Sequence, residues 1–316
     1  MARPKKSGKK RAAGKRRNKK LLLAMSVAGG LIVAVTGVLL IYILKPAEVP
    51  DLPESEDVIS KEVVIPYEET YSSPDPPPLE SADTKTKVED QVVVPEGEKP
   101  RVAIIIDDMG YQKKTGEGLL DLDLNLTFAF LPFGPYTEKL AHGANRLDRD
   151  VLLHFPMEAA DAKWKPGPGA VSIDMSREEI HRIFSRNLAA VPYVVGINNH
   201  MGSRFTQNSE AMQDFMVAVR SSGLFFVDSR TSQYTVGAFT AREMAVKTAK
   251  RDVFLDNVRD RGKITIQLRK LLKTAERKGQ AIAIGHPYPE TLAALKGIRG
   301  EIRRRVKVVG VSELVN

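Results

Sequence analysis

The residues best suited to chemistry in this sequence are acids and histidines placed toward the ends of short apolar runs. Asp107 and Asp108 close the run RVAIIIDD, His154 lies in VLLHFPME, His200 closes VVGINNH and His286 closes AIAIGH. The chain has only five histidines, so it is informative that three of them fall in these runs. Carboxylates and neutral imidazoles suit Zn²⁺ and similar divalent ions. The set therefore indicates a metal site or an acid–base site.

Apolar runs of this kind alternate with helical stretches throughout residues 101–316. Buried parallel strands have a near-continuous apolar composition, and in repeated strand–helix folds the chemistry lies where the strands end. The pattern predicts one α/β domain, either a doubly wound sheet or a closed β/α barrel, and no signal of strand order separates the two. The runs are RVAIIIDD, LTFAFLP, VLLHFPME, VVGINNH, LFFVDSR, DVFLDN, AIAIGH and VKVVGVSE.

Two helices between these runs are predicted in detail. Ser176 followed by Glu179 is typical of a capping box, and an apolar stripe of helical spacing follows it. A second helix fits residues 209–221, with its apolar side chains facing the sheet. His142 and His181 fall in helical stretches and are predicted to lie at the surface.

The adjacent acids Asp107 and Asp108 require a break in their strand if both are to enter one site. Consecutive strand residues face opposite sides, and Gly110 permits the turn that this break needs. One carboxylate then binds metal while the other acts as a base. The alternative is a helix N-cap followed by a turn acid.

The first hundred residues predict a membrane anchor and a tether. Residues 1–20 hold 11 Lys/Arg and no acid, and residues 21–44 are 24 residues without a charge, long enough to cross a bilayer. The basic flank predicts a cytoplasmic tail, with the chain after Lys45 outside the cytoplasm; a cleaved signal peptide is the alternative. Residues 46–100 hold 10 prolines and 15 acids against 4 lysines, so 45–100 is predicted to be a disordered linker.

Composition narrows the classes of partner and of site. The absence of cysteine excludes disulfides, thiolate metal sites and cysteine nucleophiles. Residues 101–316 carry 32 Lys/Arg against 24 acids, an excess of 8 positive charges, which fits either an anionic partner or a solvated lysine-rich surface. The basic run 1–20 abuts an apolar span, so it is interpreted as a topology signal that can also touch anionic lipid, and no nucleic-acid partner is expected.

Five motifs in order resemble the divergent polysaccharide deacetylase family, a distant branch of the metal-dependent carbohydrate deacetylases. The motifs are IIIDDMGY, LLHFPME, GINNHMGS, FFVDSRT and AIAIGHPYPET, and the resemblance spans essentially all of residues 101–316. It implies a distorted β/α barrel of about seven to eight strands that binds Zn²⁺ or another divalent metal. It also implies that Asp107 is the catalytic base, Asp108 a metal ligand and His286 the general acid.

The second motif departs from the pattern of the broader family, which supplies two metal-binding histidines from one H-x-x-x-H segment. Here His154 is followed four residues later by Glu158. The metal set is therefore predicted to be Asp108, His154 and His200, with coordination by Glu158 as the alternative.

Five further residues are candidates for binding or orienting the substrate. For the arginines and Asp228, an Asp–Arg orienting pair, an anion clamp and an ordinary salt bridge all stay open. The candidates are Glu158, Asn199, Arg204, Asp228 and Arg230.

The resemblance implies a hydrolase that removes acetyl groups from an N-acetylated polysaccharide of the cell envelope. The metal would activate water and polarise the amide carbonyl, Asp107 would accept the water proton and His286 would protonate the departing amine. With the anchor, the expected location is a bacterial inner membrane, single-pass, with the folded domain in the periplasm. Two alternatives stay open: a non-catalytic protein that binds envelope glycan or a partner, and another metal hydrolase, although H-E-x-x-H and G-x-S-x-G are absent.

Overall fold

The computed structural model describes residues 98–316. The predicted basic tail (1–20), the predicted membrane anchor (21–44) and nearly all of the predicted linker (45–100) lie outside the described residues. Within residues 98–316, no helix combines the length and the apolar composition needed to cross a bilayer.

The described residues contain one sheet of nine strands, all paired in parallel. The strands are β1 Arg101–Met109, β2 Thr127–Phe130, β3 Val151–Met157, β4 Val194–Met201, β5 Phe225–Asp228, β6 Thr248–Lys250, β7 Val253–Phe254, β8 Gln280–Gly285 and β9 Lys307–Val308.

The order of the strands is that of an opened barrel. β1 to β6 lie side by side in chain order, β8 pairs with the other edge of β1, and β7 pairs with β8. The short β9 also pairs with β1. Within the described chain β6 and β7 are the two ends of this path, so eight of the nine strands form a curled half-barrel with a gap between β6 and β7. The predicted α/β fold is confirmed, and the strand order decides against the doubly wound alternative.

Each of the eight apolar runs contains a strand, whereas β6 was not predicted. Its three residues, Thr248 to Lys250, include only one apolar side chain, and the strand lies at the end of the sheet. A strand that short and that polar gives no periodic signal in a sequence.

Seven α-helices connect the strands of the described region, and the two predicted in detail are confirmed. The capping box of Ser176 and Glu179 is present in full, and the second helix spans Ser209–Ser221. The helices are α1 Lys113–Leu120, α2 Thr137–Arg146, α3 Arg177–Ala189, α4 Ser209–Ser221, α5 Gly237–Glu243, α6 Arg261–Lys278 and α7 Pro289–Arg305.

The alternation of side chains along the strands creates two hydrophobic cores. On β1, Val102, Ile104 and Ile106 belong to the large core that also contains the buried faces of the helices, whereas Ala103 and Ile105 belong to a smaller inner core. The inner core also includes Leu152 of β3, Val227 of β5, and Ile282 and Ile284 of β8. It therefore fills the concave side of the curled sheet.

The C-terminal segment contributes to the inner core. Val309, Val311 and Leu314 belong to it, and the backbone N–H of Val311 donates a hydrogen bond of 3.0 Å to Thr127 Oγ1 on β2. Asn316 exchanges backbone hydrogen bonds with Thr248 of β6. The chain end thus contacts both β2, in the interior of the sheet, and β6, at one end of it.

Candidate metal centre

The candidate site lies where the inward-facing rows of the strands change from apolar to polar. Ala103 and Ile105 are followed on the same face of β1 by Asp107, and Ile282 and Ile284 on β8 are followed by His286. All of these side chains are buried. The inner core therefore lies directly beneath the polar groups of the site.

His154 and His200 lie on a two-stranded extension of the sheet. β3 and β4 stay paired from Leu152 with Gly196 to Met157 with Met201, and His154 is opposite Asn198 in this register. The paired part of β2 reaches only Leu153 of β3. His154 therefore lies inside its strand, three residues before the end, and not at the edge where the sequence placed it.

Asp108 reaches the same side as Asp107 because the backbone turns at Asp108 itself. Its φ is 54°, in the left-handed region, and the pairing of β1 with β2 shifts register between Ile106 and Met109. Aspartate is among the few residues other than glycine that adopt this conformation readily. The predicted break in the strand is present, but it begins two residues before Gly110, which also has a positive φ of 114°.

Three ligand atoms converge on one point between these strands. Asp108 Oδ1 lies 3.0 Å from His200 Nδ1 and 3.2 Å from His154 Nε2, and the two nitrogens are 3.2 Å apart. Asp108 Oδ1 is buried and has no hydrogen-bond partner among the described residues. Tetrahedral Zn²⁺ with bonds of about 2.0–2.2 Å holds neighbouring ligand atoms about 3.3 Å apart. The three residues therefore fit a divalent ion.

The tautomer of His154 is consistent with this role. Its Nδ1 lies 2.9 Å from Asn198 Oδ1, an oxygen that can only accept, so Nδ1 carries the proton. Nε2 then keeps a lone pair that faces Asp108 and His200. Metal-binding histidines commonly donate their second ring N–H in this way.

The electric field of the site favours positive charge. Burial alone would lower the pKa of His154, but the negative charges of Asp107 and Asp108 raise it above its usual value. Burial alone would raise the pKa of Asp108, yet His200 and His154 hold it well below the ordinary value. The same field that favours a proton on an imidazole also favours a bound cation.

Asp107 stands beside the ligand group in a position suited to a base. Its Oδ1 accepts a hydrogen bond of 2.7 Å from Asn198 Nδ2, and its Oδ2 is 3.7 Å from His154 Nε2. Burial raises the pKa of Asp107 above its ordinary value, although His154, His286 and the bond from Asn198 act in the opposite direction. A raised pKa makes this carboxylate a stronger proton acceptor than a solvated aspartate.

His286 lines one cavity together with Asp107, His154 and His200, and it is oriented by a buried acid, Asp256. Asp256 Oδ1 is 2.9 Å from His286 Nδ1, while Oδ2 accepts hydrogen bonds from His286 N–H and from Thr291 Oγ1 at 2.6 and 2.7 Å. His286 Nε2 is 4.0 Å from Asp108 Oδ2. Burial would lower the pKa of His286, but the charge and hydrogen bond of Asp256 raise it to about 9. The raised pKa favours the protonated imidazole, which is the form that can donate a proton.

Glu158 and Arg204 form an ion pair beside the candidate ligands. Glu158 Oε1 is 3.0 Å from Arg204 Nη1, and Oε2 accepts a hydrogen bond of 2.9 Å from the backbone N–H of Ile173. Both carboxylate oxygens are therefore engaged, and Glu158 lies outside the group formed by Asp108, His154 and His200. Of the alternatives left open for Arg204, the structure therefore contains the ordinary salt bridge, which is formed with Glu158.

Asn199 lines the cavity and joins two strands. Its Oδ1 accepts a hydrogen bond of 2.9 Å from the backbone N–H of Ser229, and its Nδ2 donates one of 2.8 Å to the carbonyl of Met201. The two ends of the amide thus hold together the C-terminal ends of β4 and β5.

Asp228 and Arg230 do not form the salt bridge that was one of the alternatives. Asp228 Oδ1 accepts from the backbone N–H of Arg230 at 2.9 Å, and Oδ2 accepts from Thr235 Oγ1 and from Ala238 N–H in the first turn of α5. Within residues 98–316, no side-chain ion pair joins Asp228 to an arginine. Arg230 is exposed and has a φ of 54°. Asp228 therefore orders the loop after β5.

Three residues of the site were given no role in the sequence analysis: Asn198, Asp256 and Arg251. Asn198 precedes His200 by two residues on the same strand face, and Asp256 closes the run DVFLDN, so each carried the strand-end signal that marked the others. Arg251 lines the cavity between the short strands β6 and β7 and carried no such signal.

The chain matches one protein family over most of its described length. The family described as divergent polysaccharide deacetylase matches residues 104–315. Uncharacterized protein YibQ of Escherichia coli (strain K12) is 36% identical over 216 residues, which are 68% of this chain and 67% of YibQ. An uncharacterized protein of Haemophilus influenzae is 32% identical over 214 residues, 68% of this chain and 76% of that protein.

A solved structure has the same fold. The crystal structure of an uncharacterized protein from Agrobacterium tumefaciens C58 superposes with a TM-score of 0.66 at 26% identity and covers 70% of this chain and 91% of that chain. The resemblance seen in the five motifs is thus confirmed over the whole folded region. The chain belongs to the divergent polysaccharide deacetylase family.

Proposed function

We propose that this protein is a metal-dependent hydrolase that removes acetyl groups from an N-acetylated polysaccharide of the cell envelope. The observation that carries the proposal is the convergence of three sets of groups on one cavity. A convergent ligand triangle, a buried carboxylate with a raised pKa and a histidine held by a buried acid are the parts that amide hydrolysis needs. The polysaccharide itself is inferred from membership of the family.

The metal would be held by Asp108, His154 and His200, and Zn²⁺ suits this set of two imidazoles and one carboxylate. Such an ion lowers the pKa of water and polarises a carbonyl group when it is bound. Asn198 fixes the ring of His154 through one end of its amide and holds Asp107 through the other. One side chain thus sets the spacing between the metal ligands and the base.

Asp107 and His286 divide the proton transfers of the reaction. Asp107 accepts a proton from the water that attacks the acetyl carbonyl, and a C–O bond forms. As the C–N bond breaks, His286 donates its Nε2 proton to the departing amine, which leaves acetate and a free amino sugar. The environments of the two groups suit these roles, because burial makes Asp107 more basic and Asp256 keeps His286 protonated.

The first prediction tests the metal ligands. His154→Ala and His200→Ala should each lower the zinc bound to the purified full-length chain by at least about 10-fold, because loss of a direct ligand should cost no less than loss of an outer partner. Metal content is measured by atomic emission after equilibration with Zn²⁺, and far-UV circular dichroism checks the fold.

The matched control is His142→Ala. His142 lies on α2, is partly exposed and bonds to the hydroxyl of Tyr193, away from the cavity. It should leave the zinc content unchanged. Equal zinc in the His154 and His200 variants and in the parent protein would remove these residues from the ligand set.

We further infer that residues 21–44 anchor the protein in the bacterial inner membrane, with residues 1–20 in the cytoplasm and the folded domain in the periplasm. This rests on the uncharged span and its basic flank. Residues 45–100 would be a disordered linker that separates the domain from the membrane.

This topology predicts that protease added to spheroplasts releases the folded domain from the membrane. The released fragment is detected by an antibody against residues 101–316, and a cytoplasmic protein that stays intact shows that the inner membrane is sealed. A domain that resists the protease until detergent is added would place it in the cytoplasm and contradict the topology.

A further inference from the structure

Arg251 is a cationic side chain that faces the cavity and that the proposed reaction does not use. It lies in the connection between β6 and β7, and its side chain lines the same cavity as Asp107 and His286. Nε donates a hydrogen bond of 2.7 Å to the carbonyl of Ser229, and Nη2 donates one of 3.0 Å to the carbonyl of Arg230. These contacts fix one edge of the guanidinium group.

The charge of Arg251 has no direct counter-ion in the protein. Among residues 98–316, no carboxylate lies within 4.0 Å of its nitrogens, whereas Arg305 on α7 pairs with both Glu276 and Glu301. Burial and the nearby charge of Arg230 lower the pKa of Arg251 to about 10, and the more distant acids only partly offset them. A half-buried cation bonded only to neutral carbonyls is costly, and an anionic ligand would offset that cost.

The guanidinium group of Arg251 has a fixed position relative to His286, the proposed general acid. Its carbon Cζ lies 4.9 Å from the ring centroid of Phe254, and that ring meets the ring of His286 edge to face at a centroid distance of 5.6 Å. Phe254 thus separates the two cationic groups and holds each in place. Arg251 therefore lines the same cavity as the group that would protonate the leaving amine.

A second arginine lies on the His286 side of the cavity. The guanidinium of Arg259 stacks 3.8 Å from the ring centroid of Tyr288, and Tyr288 packs against the His286 ring at 5.5 Å. Arg259 itself is exposed. Positive charge is thus present at two places around His286, in a domain with an excess of 8 positive charges over residues 101–316.

We propose that Arg251 binds an anionic group, a carboxylate or a phosphate, carried by the N-acetylated sugar next to its acetamido group. The substrate class is then an acidic amino-sugar polymer and not a neutral one. Guanidinium groups match the geometry of both anions, and Nη1 of Arg251 makes no hydrogen bond among the described residues. That the ligand is an N-acetylated sugar rests on the proposed function. That it carries an anion rests on the surroundings of Arg251 alone.

The test compares anionic sugars with neutral ones and includes one pair, a carboxylate and its carboxamide, that differ mainly in charge. Four oligosaccharides of equal length and linkage are used: one of N-acetylglucosamine, one with a lactyl ether carboxylate beside the acetamido group, its carboxamide, and one with a phosphate. Calorimetry on the zinc-loaded full chain gives affinity, and acetate release gives kcat/KM. An anionic sugar should bind about 10–100-fold more tightly than the neutral sugars, as expected for a hydrogen bond to a charged group.

The variant Arg251→Gln should reduce this preference to less than about 3-fold, whatever happens to the absolute rates. Arg204→Gln is the matched control, because Arg204 is paired with Glu158, and it should retain the preference. The preference of the unmutated chain needs no variant, so the inference stays testable even if Arg251→Gln fails to fold.

The outcomes separate this inference from the proposed function. Acetate release from neutral and anionic sugars at equal kcat/KM, with equal affinity, would overturn the anion site and leave the hydrolase standing. A preference that survives in Arg251→Gln would also overturn it. A preference that depends on Arg251 without acetate release from any sugar would support the anion site and overturn the hydrolase. Preference for the carboxylate or for the phosphate sugar identifies which anion is bound.

Discussion

Replacing Asp107 with asparagine is expected to lower turnover by about 10²–10⁴-fold while leaving the bound metal in place, since general base catalysis contributes about that much. The asparagine side chain has nearly the same shape, and its carbonyl oxygen can still accept the hydrogen bond from Asn198. What it loses is the lone pair basic enough to take the proton of water. Acetate release and zinc content are measured on the same preparation.

The matched comparison is Asp108→Asn, one residue along the chain. Because Asp108 Oδ1 lies within 3.2 Å of both ligand nitrogens, this change should lose metal together with activity. The pair of variants therefore separates the base from the ligand. If Asp107→Asn lost its zinc, or Asp108→Asn kept both zinc and turnover, the two roles would have to be exchanged or abandoned.

The same variant decides between catalysis and binding. A parent protein that binds zinc and glycan yet releases no acetate from any N-acetylated envelope glycan, with glycan binding unchanged in Asp107→Asn, would be a binding protein on a deacetylase fold. The departure from the H-x-x-x-H pattern motivates this alternative. His200 on β4 lies in the position to supply the second imidazole, which favours the hydrolase.

Much of the site could be predicted because it follows from the two-residue repeat of a strand. Asp107, His154 and His286 each stand two residues beyond an inward-facing apolar side chain, on β1, β3 and β8. Parallel strand–helix folds bring such residues together near the carboxyl ends of the strands, although His154 lies three residues before the end of β3. The sequence therefore indicated the residues, although it did not indicate which nitrogen of each histidine faces the metal.

Other parts depend on contacts that leave no local pattern. Asp108 faces the site only because its φ is 54°, and a sequence offers no measure of that turn beyond the nearby glycine. Asp228 and Asn199 were candidates for binding the substrate, but their side chains hydrogen-bond to groups of neighbouring segments, among them the backbone N–H groups of Ala238 and Ser229. Arg251 follows a strand of three residues, too short for periodicity to reveal.

The gap between β6 and β7 also has a physical cause, which the apolar runs of the sequence do not reveal. β6 has three residues and β7 has two, so neither offers a long edge for pairing. The connection between them is only Arg251 and Asp252, with no room for the helix that joins parallel neighbours in a regular barrel. The barrel opens at the point where this helix is missing, and Arg251 lies at that opening.

Asp256→Asn is expected to slow acetate release by about 10²–10⁴-fold, close to the effect of removing His286 itself, because orienting acids of this kind act through the histidine. Asp256 accepts hydrogen bonds from three donors: the ring and backbone N–H of His286 and the hydroxyl of Thr291. An amide in its place has one acceptor oxygen, so its NH₂ group must face one of those donors. The negative charge of Asp256, which is the main group that raises the pKa of His286, is also lost.

A double-mutant cycle distinguishes a positioning role from a structural one. If Asp256 acts through His286, then His286→Ala alone and His286→Ala combined with Asp256→Asn should have the same kcat/KM, since the acid has nothing left to orient. Zinc content should stay at the parent level in all three variants, because neither residue belongs to the ligand triangle. Losses that multiply in the double variant would show that Asp256 supports the protein independently of His286, and the orienting role would then be rejected.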